Sequence, residues 1–281
     1  MASCEICEKR NEQISESALT HLSLFSGIGG LDLAAEWAGF RTVGQCEWAD
    51  YPTRVLEKHW PDVPRWRDIR TLTKESFYER TGLRTVDLIS GGFPCQPHSL
   101  AGKRLGAKDE RNLWPEFIRI VRELNPRAVI GENVPGILST IHDDVCTDLE
   151  SAGYKSWTFC FPAYAVGAHI ERYRVAIVAI SKSKSGLQAY PQTIPAGEMR
   201  ETWEGFMCRN WDCKTGTYWT VHKPPVFGMA DGIPGGMDGR LKYKEQMTAL
   251  GNAVVPQQFY PIFQAIAEME QGKGEYQNGK L

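Results

Sequence analysis

Short hydrophobic blocks alternate with amphipathic stretches from residue 22 to residue 180, a pattern typical of a layered α/β domain. The hydrophobic blocks predict strands at residues 22–25, 41–47, 86–90 and 127–131, and a closing pair at 155–162 and 173–180. Apolar residues at helical spacing predict helices at residues 31–37, 51–59 and 113–124. The pattern therefore predicts one α/β core over this part of the chain.

The pattern weakens at both ends of this core. Residues 1–20 are polar, which predicts a tail. Residues 183–240 are rich in glycine and proline, contain three tryptophans and lack periodicity, which predicts a small irregular module. Apolar spacing returns between residues 255 and 269, where Pro256 suits the first turn of a helix and Pro261 is awkward inside one.

Composition places the chain among ordinary globular proteins. Hydrophobic residues make up 42% of the 281 residues and charged residues 23%, which excludes a wholly disordered or collagen-like chain. The 32 Lys and Arg against 34 Asp and Glu leave a net charge of −2, so no basic excess indicates a nucleic-acid partner. The longest apolar run, Val175–Ile180, is far shorter than the ~20 residues of a membrane span. Eight cysteines without an export signal predict reduced thiols in a cytoplasmic protein.

A glycine-rich turn, Ser26–Gly30, joins the first predicted strand to the first predicted helix. Backbone N–H groups at such a turn can approach a bound cofactor closely. Glu47 ends the next strand, at the position from which a carboxylate reaches ribose hydroxyls, and the pair predicts a nucleoside-containing cofactor. A dinucleotide fingerprint would place a third glycine where Asp32 stands. A glycine turn used only for packing is the alternative.

Among the eight cysteines, Cys95 has the most constrained surroundings. It follows the predicted strand at 86–90, in a loop that begins with two glycines and holds the cysteine between Pro94 and Pro97. Such a loop can present one thiol at the carboxyl edge of the sheet, where α/β folds bind ligands. An inert, buried cysteine is the usual alternative. The glycines and prolines around Cys95 favour a reactive position over a buried one.

Three charged residues follow other predicted strands. Glu132 comes directly after the strand at 127–131, and a carboxyl half-buried beside Phe93 or Trp114 would have a raised pKa and could donate a proton. Arg172 and Arg174 share an i, i+2 spacing, so on a strand both point to one face and suit a phosphate or an anionic intermediate. A helix cap for Glu132 and a solvated edge for the arginines are the alternatives.

Taken together, these motifs resemble those of the cytosine-C5 DNA methyltransferases over about residues 22–180 and 240–267. The resemblance rests on the turn Leu24–Gly30, the pairs Glu47–Trp48 and Asp68–Ile69, the loop Gly92–Pro97, the triplet Glu132–Val134 and the segment Leu250–Pro256. It implies a Rossmann-like S-adenosylmethionine-dependent methyltransferase sheet with helices on both faces. It also implies a division into a tail at 1–20, a catalytic domain at 21–182, a target-recognition module at 183–240 and a returning segment at 241–281.

The resemblance implies methyl transfer from S-adenosyl-L-methionine to C5 of a flipped-out cytosine in a specific sequence of double-stranded DNA, through an adduct between Cys95 and C6. It implies catalytic roles for Cys95, Glu132, Arg172 and Arg174, with Arg172 near the base or the backbone of the loop and a structural part for Arg174. The implied cofactor-binding residues are Phe25, Ser26, Gly27, Gly29, Gly30, Leu31, Glu47, Trp48, Asp68, Ile69, Pro94, Leu113, Asn252, Ala253 and Val254. The implied DNA-binding residues are Gln96, Ser99, Lys103, Arg104, Arg111, Arg200, Arg209 and Lys214.

Basic residues are concentrated near these motifs. Residues 97–127 hold seven bases against four acids, and residues 165–184 hold four against one, so the near-neutral total does not exclude DNA. We expect a monomer without a membrane anchor, accompanied in a restriction-modification system by a separate restriction endonuclease. No metal is expected, although Cys4, Cys7, Cys208 and Cys213 raise the question of zinc.

Two departures from the family pattern and three competing functions stay open at this stage. Ile170 stands where the family has a glutamine before its arginines, and Arg240–Lys244 is a weak version of the motif that organises the recognition module. The competing functions are an RNA cytosine methyltransferase of the transfer-RNA type, a catalytically silent DNA-binding relative and a nicotinamide oxidoreductase. The presence of both Cys95 and Glu132 counts against a silent relative.

Overall fold

A seven-stranded sheet forms the centre of the part of the chain that the computed structural model describes, residues 18–94, 112–168, 170–183 and 248–270. Its strands are β1 (Thr20–Leu24), β2 (Arg41–Cys46), β3 (Arg65–Trp66), β4 (Leu88–Gly91), β5 (Ala128–Asn133), β6 (Tyr154–Pro162) and β7 (Tyr173–Ser181). Their order across the sheet is β3-β2-β1-β4-β5-β7-β6. The first five run parallel, whereas β7 is antiparallel to both β5 and β6, so the predicted closing pair is confirmed.

Helices cover both faces of this sheet. They are α1 (Gly30–Trp37), α2 (Asp50–His59), α3 (Lys74–Thr81), α4 (Trp114–Leu124), α5 (His142–Ser151) and α6 (Pro256–Glu270). Alternate residues of β7 enter two different cores, because side chains alternate between the faces of a strand. Ile177 packs with Phe117 of α4, whereas Val178 packs in the cluster that holds Phe263 of α6. The predicted α/β fold with helices on both faces is therefore confirmed.

Every strand and helix that the hydrophobic pattern predicted before residue 183 is present, with ends shifted by at most two residues. Apart from short 3-10 turns, one strand and two α-helices of the described residues were not predicted, because they carry little pattern. The strand β3 has only two residues, the helix α3 buries only Phe77, and the helix α5 buries only Val145 and Leu149. These elements depend on the sheet beneath them more than on their own amphipathicity.

The helix α6 contains Pro261, a proline at a position where the sequence pattern predicts the interior of a helix. Pro256 begins the helix as expected, and Pro261 lies inside it and is buried. An internal proline costs about 3 kcal/mol because it removes a backbone hydrogen bond. The helix also buries Phe259, Phe263 and Ile266, and each such side chain contributes about 1.5–3 kcal/mol. Packing against the sheet therefore outweighs the missing bond.

Several predictions fall on residues that the structure does not describe. They concern the tail up to residue 17, the recognition module beyond residue 183, the four cysteines of the zinc question and the segment Arg240–Lys244. Within the described ranges, no helix combines the length and the hydrophobicity needed to cross a membrane.

Candidate active site

The register of the sheet brings the predicted motifs into one row. Trp66, Cys46, Leu24, Gly91 and Gly131 lie side by side on neighbouring parallel strands. The residues that immediately follow this row along the chain are the predicted site residues and their neighbours. Motifs more than a hundred residues apart in the sequence, such as Phe25 and Glu132, therefore meet at the carboxyl edge of the sheet, where ligands of α/β folds bind.

A cavity of about 960 Å³ opens at this edge. It is lined by the turn after β1, the ends of β2, β4 and β5, the residues after β3, Arg174 of β7 and the segment 248–254. Fourteen of the fifteen predicted cofactor-binding residues line it: Phe25, Ser26, Gly27, Gly30, Leu31, Glu47, Trp48, Asp68, Ile69, Pro94, Leu113, Asn252, Ala253 and Val254. The cavity therefore gathers residues from both ends of the chain.

Gly29 is the predicted cofactor residue that does not line the cavity. It has a φ of 88°, and a Cβ at this position would lie 2.5 Å from the ring of Trp60. Its neighbour Gly30 faces the returning segment, because a Cβ there would lie 2.6 Å from the carbonyl oxygen of Val254. Gly29 thus allows helix α1 to pack against Trp60, and Gly30 allows the C-terminal segment to close the cavity.

The carboxylate of Glu47 joins the glycine turn to the end of β2. Its two oxygens accept hydrogen bonds from the backbone N–H groups of Gly27 and Ala49, each at 2.7 Å. A carboxylate has about four lone-pair positions, so two remain for a ligand. Trp48, the next residue, lines the cavity with 71% of its surface exposed.

Asp68 lies beyond the end of β3 and caps a short 3-10 turn, Ile69–Thr71, by accepting from the N–H of Arg70 at 3.0 Å. This arrangement fixes the carboxylate at the cavity wall. The side chain of Ile69 is almost fully buried in the core below, so that little of it reaches the cavity.

A second acidic position, Glu132, lies at the end of β5. It is buried, and its Oε1 lies 2.8 Å from Nε of Arg174, although that N–H is not aligned for a hydrogen bond. Burial raises the pKa of Glu132 to about 7, and the nearby charges of Arg174 and Arg172 partly oppose this rise. The expected rise is confirmed. Gly92 allows this arrangement, because a Cβ there would lie 2.6 Å from Oε2 of Glu132.

Asn133 anchors the chain just before Cys95. Its side-chain N–H donates to the carbonyl oxygen of Phe93 at 3.0 Å. The ring of Phe93 packs on those of Trp114 and Phe117, with centroids 4.9 and 5.7 Å away. Pro94 then lines the cavity, whereas Cys95 lies outside the described residues. The same holds for every predicted DNA-binding residue: Gln96, Ser99, Lys103, Arg104, Arg111, Arg200, Arg209 and Lys214.

Arg172, just before β7, and Arg174, within it, are placed differently from the expectation. Arg174, expected to be structural, lies at Glu132 and lines the cavity. Arg172 does not line it, and its Nη2 donates instead to the carbonyl oxygens of Gly251 and Ala253, at 2.6 and 2.5 Å. Arg172 thus fastens the returning segment to the sheet.

Gln258 holds the same segment and was missed by the sequence analysis. Its side-chain N–H donates to the carbonyl oxygens of Phe161 and Arg172. The sequence signal that could have identified it is a glutamine among apolar residues at helical spacing, and the structure shows that its side chain is buried.

The sequence profile of the family described as C-5 cytosine-specific DNA methylase matches residues 19–206, about two thirds of the chain. The chain belongs to this family. The match begins at β1 and includes both acidic positions and the loop that contains Cys95.

Two Type II methyltransferases are similar to the chain over part of their length. The Type II methyltransferase M.NgoMIV of Neisseria gonorrhoeae is 32% identical over 188 residues, which cover 65% of this chain and 58% of that protein. M.Eco47II of Escherichia coli is 39% identical over 133 residues, which cover 47% of this chain and 30% of that protein. The chain thus matches between about a third and three fifths of these relatives.

Solved structures show the same fold. A DNA modification methyltransferase encoded within an Escherichia coli prophage is 30% identical, with a TM-score of 0.52 over 59% of this chain and 47% of that one. A mutant of Spodoptera frugiperda DNMT2 is 24% identical, with a TM-score of 0.53 over 64% of this chain and 54% of that one. The sheet described here is therefore a methyltransferase sheet.

Proposed function

We propose that the protein is a DNA (cytosine-5-)-methyltransferase that transfers a methyl group from S-adenosylmethionine to C5 of cytosine through a covalent adduct with Cys95. One observation carries this proposal. A single cavity joins two carboxylates suited to a nucleoside, Glu47 and Asp68, to a buried Glu132–Arg174 pair and to Pro94, the residue before Cys95. Membership of the methylase family supports the same reaction.

The cofactor half of the cavity suits S-adenosylmethionine. Glu47 keeps acceptor positions for the ribose hydroxyls, and Asp68 offers an acceptor for the adenine amino group. The exposed face of Trp48 supplies an aromatic surface, and the segment around Val254 closes the other side. When bound, S-adenosylmethionine supplies an electrophilic methyl group. A volume of about 960 Å³ leaves room for a cytosine beside it.

The other half of the cavity suits a cytosine ring. N3 of cytosine is a hydrogen-bond acceptor, so only the protonated form of Glu132 can donate to it. A pKa of about 7 keeps a large fraction of Glu132 protonated at neutral pH. Arg174 holds the carboxyl in place and provides a positive charge at the wall.

The chemical steps then follow from the residue types. The thiolate of Cys95 attacks C6, forming the C–S bond, while Glu132 gives its proton to N3 and so accommodates the displaced electron pair. C5 becomes electron-rich and would form a bond to the methyl carbon, while the bond between that carbon and the sulfonium sulfur would break and leave its electron pair on the sulfur, giving the thioether S-adenosylhomocysteine as the leaving group. A base then removes the proton from C5, and the bond between C6 and the sulfur of Cys95 breaks, so that the thiolate leaves with the electron pair. N3 returns its proton to Glu132, which restores both the neutral base and the carboxylic acid.

Access to the base requires that cytosine leave the duplex, because a stacked base hides both faces of its ring. We assign recognition of the surrounding sequence to the module at 183–240 and contacts to the phosphates to the basic residues after Cys95. Double-stranded DNA is the proposed partner. The resemblance to Type II methyltransferases favours action in the cytosol, beside a restriction endonuclease of the same specificity.

The test uses the purified full chain, S-adenosylmethionine with a labelled methyl group, and genomic DNA. We expect label in DNA, and bisulfite sequencing should place it on cytosines in one short sequence context. The variant Cys95→Ser should lose transfer while still binding S-adenosylmethionine. The matched control Cys160→Ser, at an exposed cysteine of β6 away from the cavity, should retain it.

The covalent step has its own readout. DNA with fluorine at C5 of its cytosines should form a complex with the wild-type chain that survives denaturation, because fluorine cannot leave as a proton does. Full transfer by Cys95→Ser would overturn the adduct, and label in transfer RNA but not in DNA would overturn the substrate.

A further inference from the structure

Asp32 is a fully buried carboxyl group that the proposed reaction does not use. It lies in the first turn of α1 and does not line the cavity. Its oxygens accept hydrogen bonds from the hydroxyl of Ser23 and from Nε2 of Gln45, both at 2.8 Å. Burial raises the pKa of Asp32 to about 6, and these two bonds oppose the rise. Keeping a carboxylate here is costly, so its retention calls for a reason.

Gln45 relays this contact to a cation. Its Oε1 accepts from Nε of Arg65 at 2.9 Å, so its amide N–H group is left to face Asp32. Nη2 of Arg65 donates to the carbonyl oxygen of Leu56 at 2.8 Å and to that of Trp60. The hydrogen bonds among Asp32, Gln45 and Arg65 therefore form one series with a fixed direction, from the carboxylate through the amide to the guanidinium.

Each of these three residues lies close in sequence to one cofactor-binding group. Asp32 follows the glycine turn by two residues, Gln45 of β2 precedes Glu47 by two, and Arg65 of β3 precedes Asp68 by three. The far end also reaches Trp60, whose ring packs against Gly29 of the turn. The hydrogen bonds thus cross-link the three elements that carry the turn and the two carboxylates.

We infer that Asp32, Gln45 and Arg65 form a buried positioning relay that sets the spacing of the glycine turn, Glu47 and Asp68 around the nucleoside. The inference rests on the proposed binding of S-adenosylmethionine. None of the three residues contacts the reacting atoms, so they are positioning residues. Their effect belongs to cofactor binding and not to the chemical step.

The first test is Asp32→Asn, which keeps the shape of the side chain and removes the charge. We expect binding of S-adenosylmethionine, measured by titration calorimetry, to weaken about tenfold, which is the low end of the effect of losing one hydrogen bond to a charged group. The turnover number at saturating S-adenosylmethionine and the KM for DNA should change less than about twofold. A smaller turnover number with unchanged cofactor binding would overturn the inference.

The second test exchanges the roles of two residues. Gln45→Glu alone sets a second carboxylate against Asp32 and should weaken binding at least as much. In the double variant Asp32→Asn with Gln45→Glu, the new amide can donate to the new carboxylate, which pairs directly with Arg65. Binding should return to within about threefold of wild type, because the two changes share one network. Additive losses would contradict the relay.

The matched control removes a carboxylate from the same sheet, away from the cavity. Asp87 accepts from the backbone N–H and the hydroxyl of Thr20 at 2.8 and 2.7 Å. Asp87→Asn should lower thermal stability without weakening cofactor binding. If Asp32→Asn does not fold, Arg65→Lys serves instead, because it keeps the charge but cannot make both contacts; it should weaken binding about threefold.

The outcomes separate this inference from the proposed function. If the wild-type chain binds S-adenosylmethionine and the folded variants of Asp32, Gln45 and Arg65 bind it equally well, the relay is overturned and the proposed function stands. Absence of binding by the wild-type chain overturns both.

Discussion

Glu47 and Glu132 stand at equivalent places in the sheet, each one residue after the row in which Cys46 and Gly131 lie, yet their surroundings differ. Glu47 is partly exposed, and neutral backbone N–H groups hold its two oxygens. Glu132 is buried beside the guanidinium of Arg174, under a glycine that admits no side chain. The comparison teaches that the strand end supplies the position, whereas burial and partners decide whether a carboxylate binds a ligand or carries a proton.

The largest expected effect comes from removing the proton carrier. Glu132→Gln keeps the size of the side chain but cannot transfer a proton to N3, so methyl transfer should fall about 10²–10⁴-fold, the usual range for a general acid. Binding of S-adenosylmethionine should change little. Labelled-methyl transfer at saturating cofactor and titration calorimetry measure the two quantities. The control is Glu150→Gln, on the exposed side of α5, which should leave both quantities unchanged. If Glu132→Gln mainly weakened cofactor binding, the proposed difference between Glu132 and Glu47 would be wrong.

Glu47→Gln should show the opposite division. A glutamine has one carbonyl oxygen, so it cannot accept from Gly27 and Ala49 and still keep the acceptor positions of a carboxylate. We expect the KM for S-adenosylmethionine to rise about tenfold or more, as for the loss of a hydrogen bond to a charged group. The turnover number at saturation should fall less than about threefold. Equal losses of turnover in Glu47→Gln and Glu132→Gln would contradict the assignment of one carboxylate to cofactor binding and the other to proton transfer.

The pH dependence sharpens the comparison further. Burial holds the pKa of Glu132 near 7, above the ordinary range of a carboxyl group, so the protonated form is lost as the pH rises through 7. The wild-type kcat/KM should therefore decrease above about pH 7. In Arg174→Met the largest opposing charge is gone, so the pKa of Glu132 should rise and the decline should begin at higher pH.

The position of this decline, and not the absolute rate, is the quantity to measure, between about pH 6 and pH 9. Arg122→Met removes an arginine that pairs with Asp148 on the outer surface, and it should leave the position unchanged. A decline that moves to lower pH in Arg174→Met would argue against Glu132 as the titrating group.

Most of the sheet and the two acidic positions could be predicted from the sequence, because both depend on local signals. Hydrophobic blocks bound the strands, and Glu47 and Glu132 follow such blocks directly. The partners of these residues could not be predicted in this way. The pairing of Arg174 and not Arg172 with Glu132 depends on where β7 lies against β5. The relay from Asp32 to Arg65 depends on how helix α1 and the strands β2 and β3 lie beside one another. Such contacts are determined by tertiary structure, about which the spacing of hydrophobic residues carries no information.

The smallest expected effect concerns Arg172. The resemblance placed it near the base or the backbone of the loop, and the structure places it against the returning segment. Nη2 of Arg172 donates to the carbonyl oxygens of Gly251 and Ala253, on either side of the cavity residue Asn252. Arg172→Lys keeps the charge but leaves one ammonium for both carbonyls. The KM for S-adenosylmethionine should rise about threefold to tenfold, since two hydrogen bonds from a charged group weaken without being lost. The turnover number and the alkaline decline set by Glu132 should stay close to wild type. A large loss of turnover with unchanged KM would instead return Arg172 to the base. The division between a binding half and a proton-transfer half would then fail at the start of β7, where Arg172 precedes the strand by one residue and Arg174 lies two residues further on.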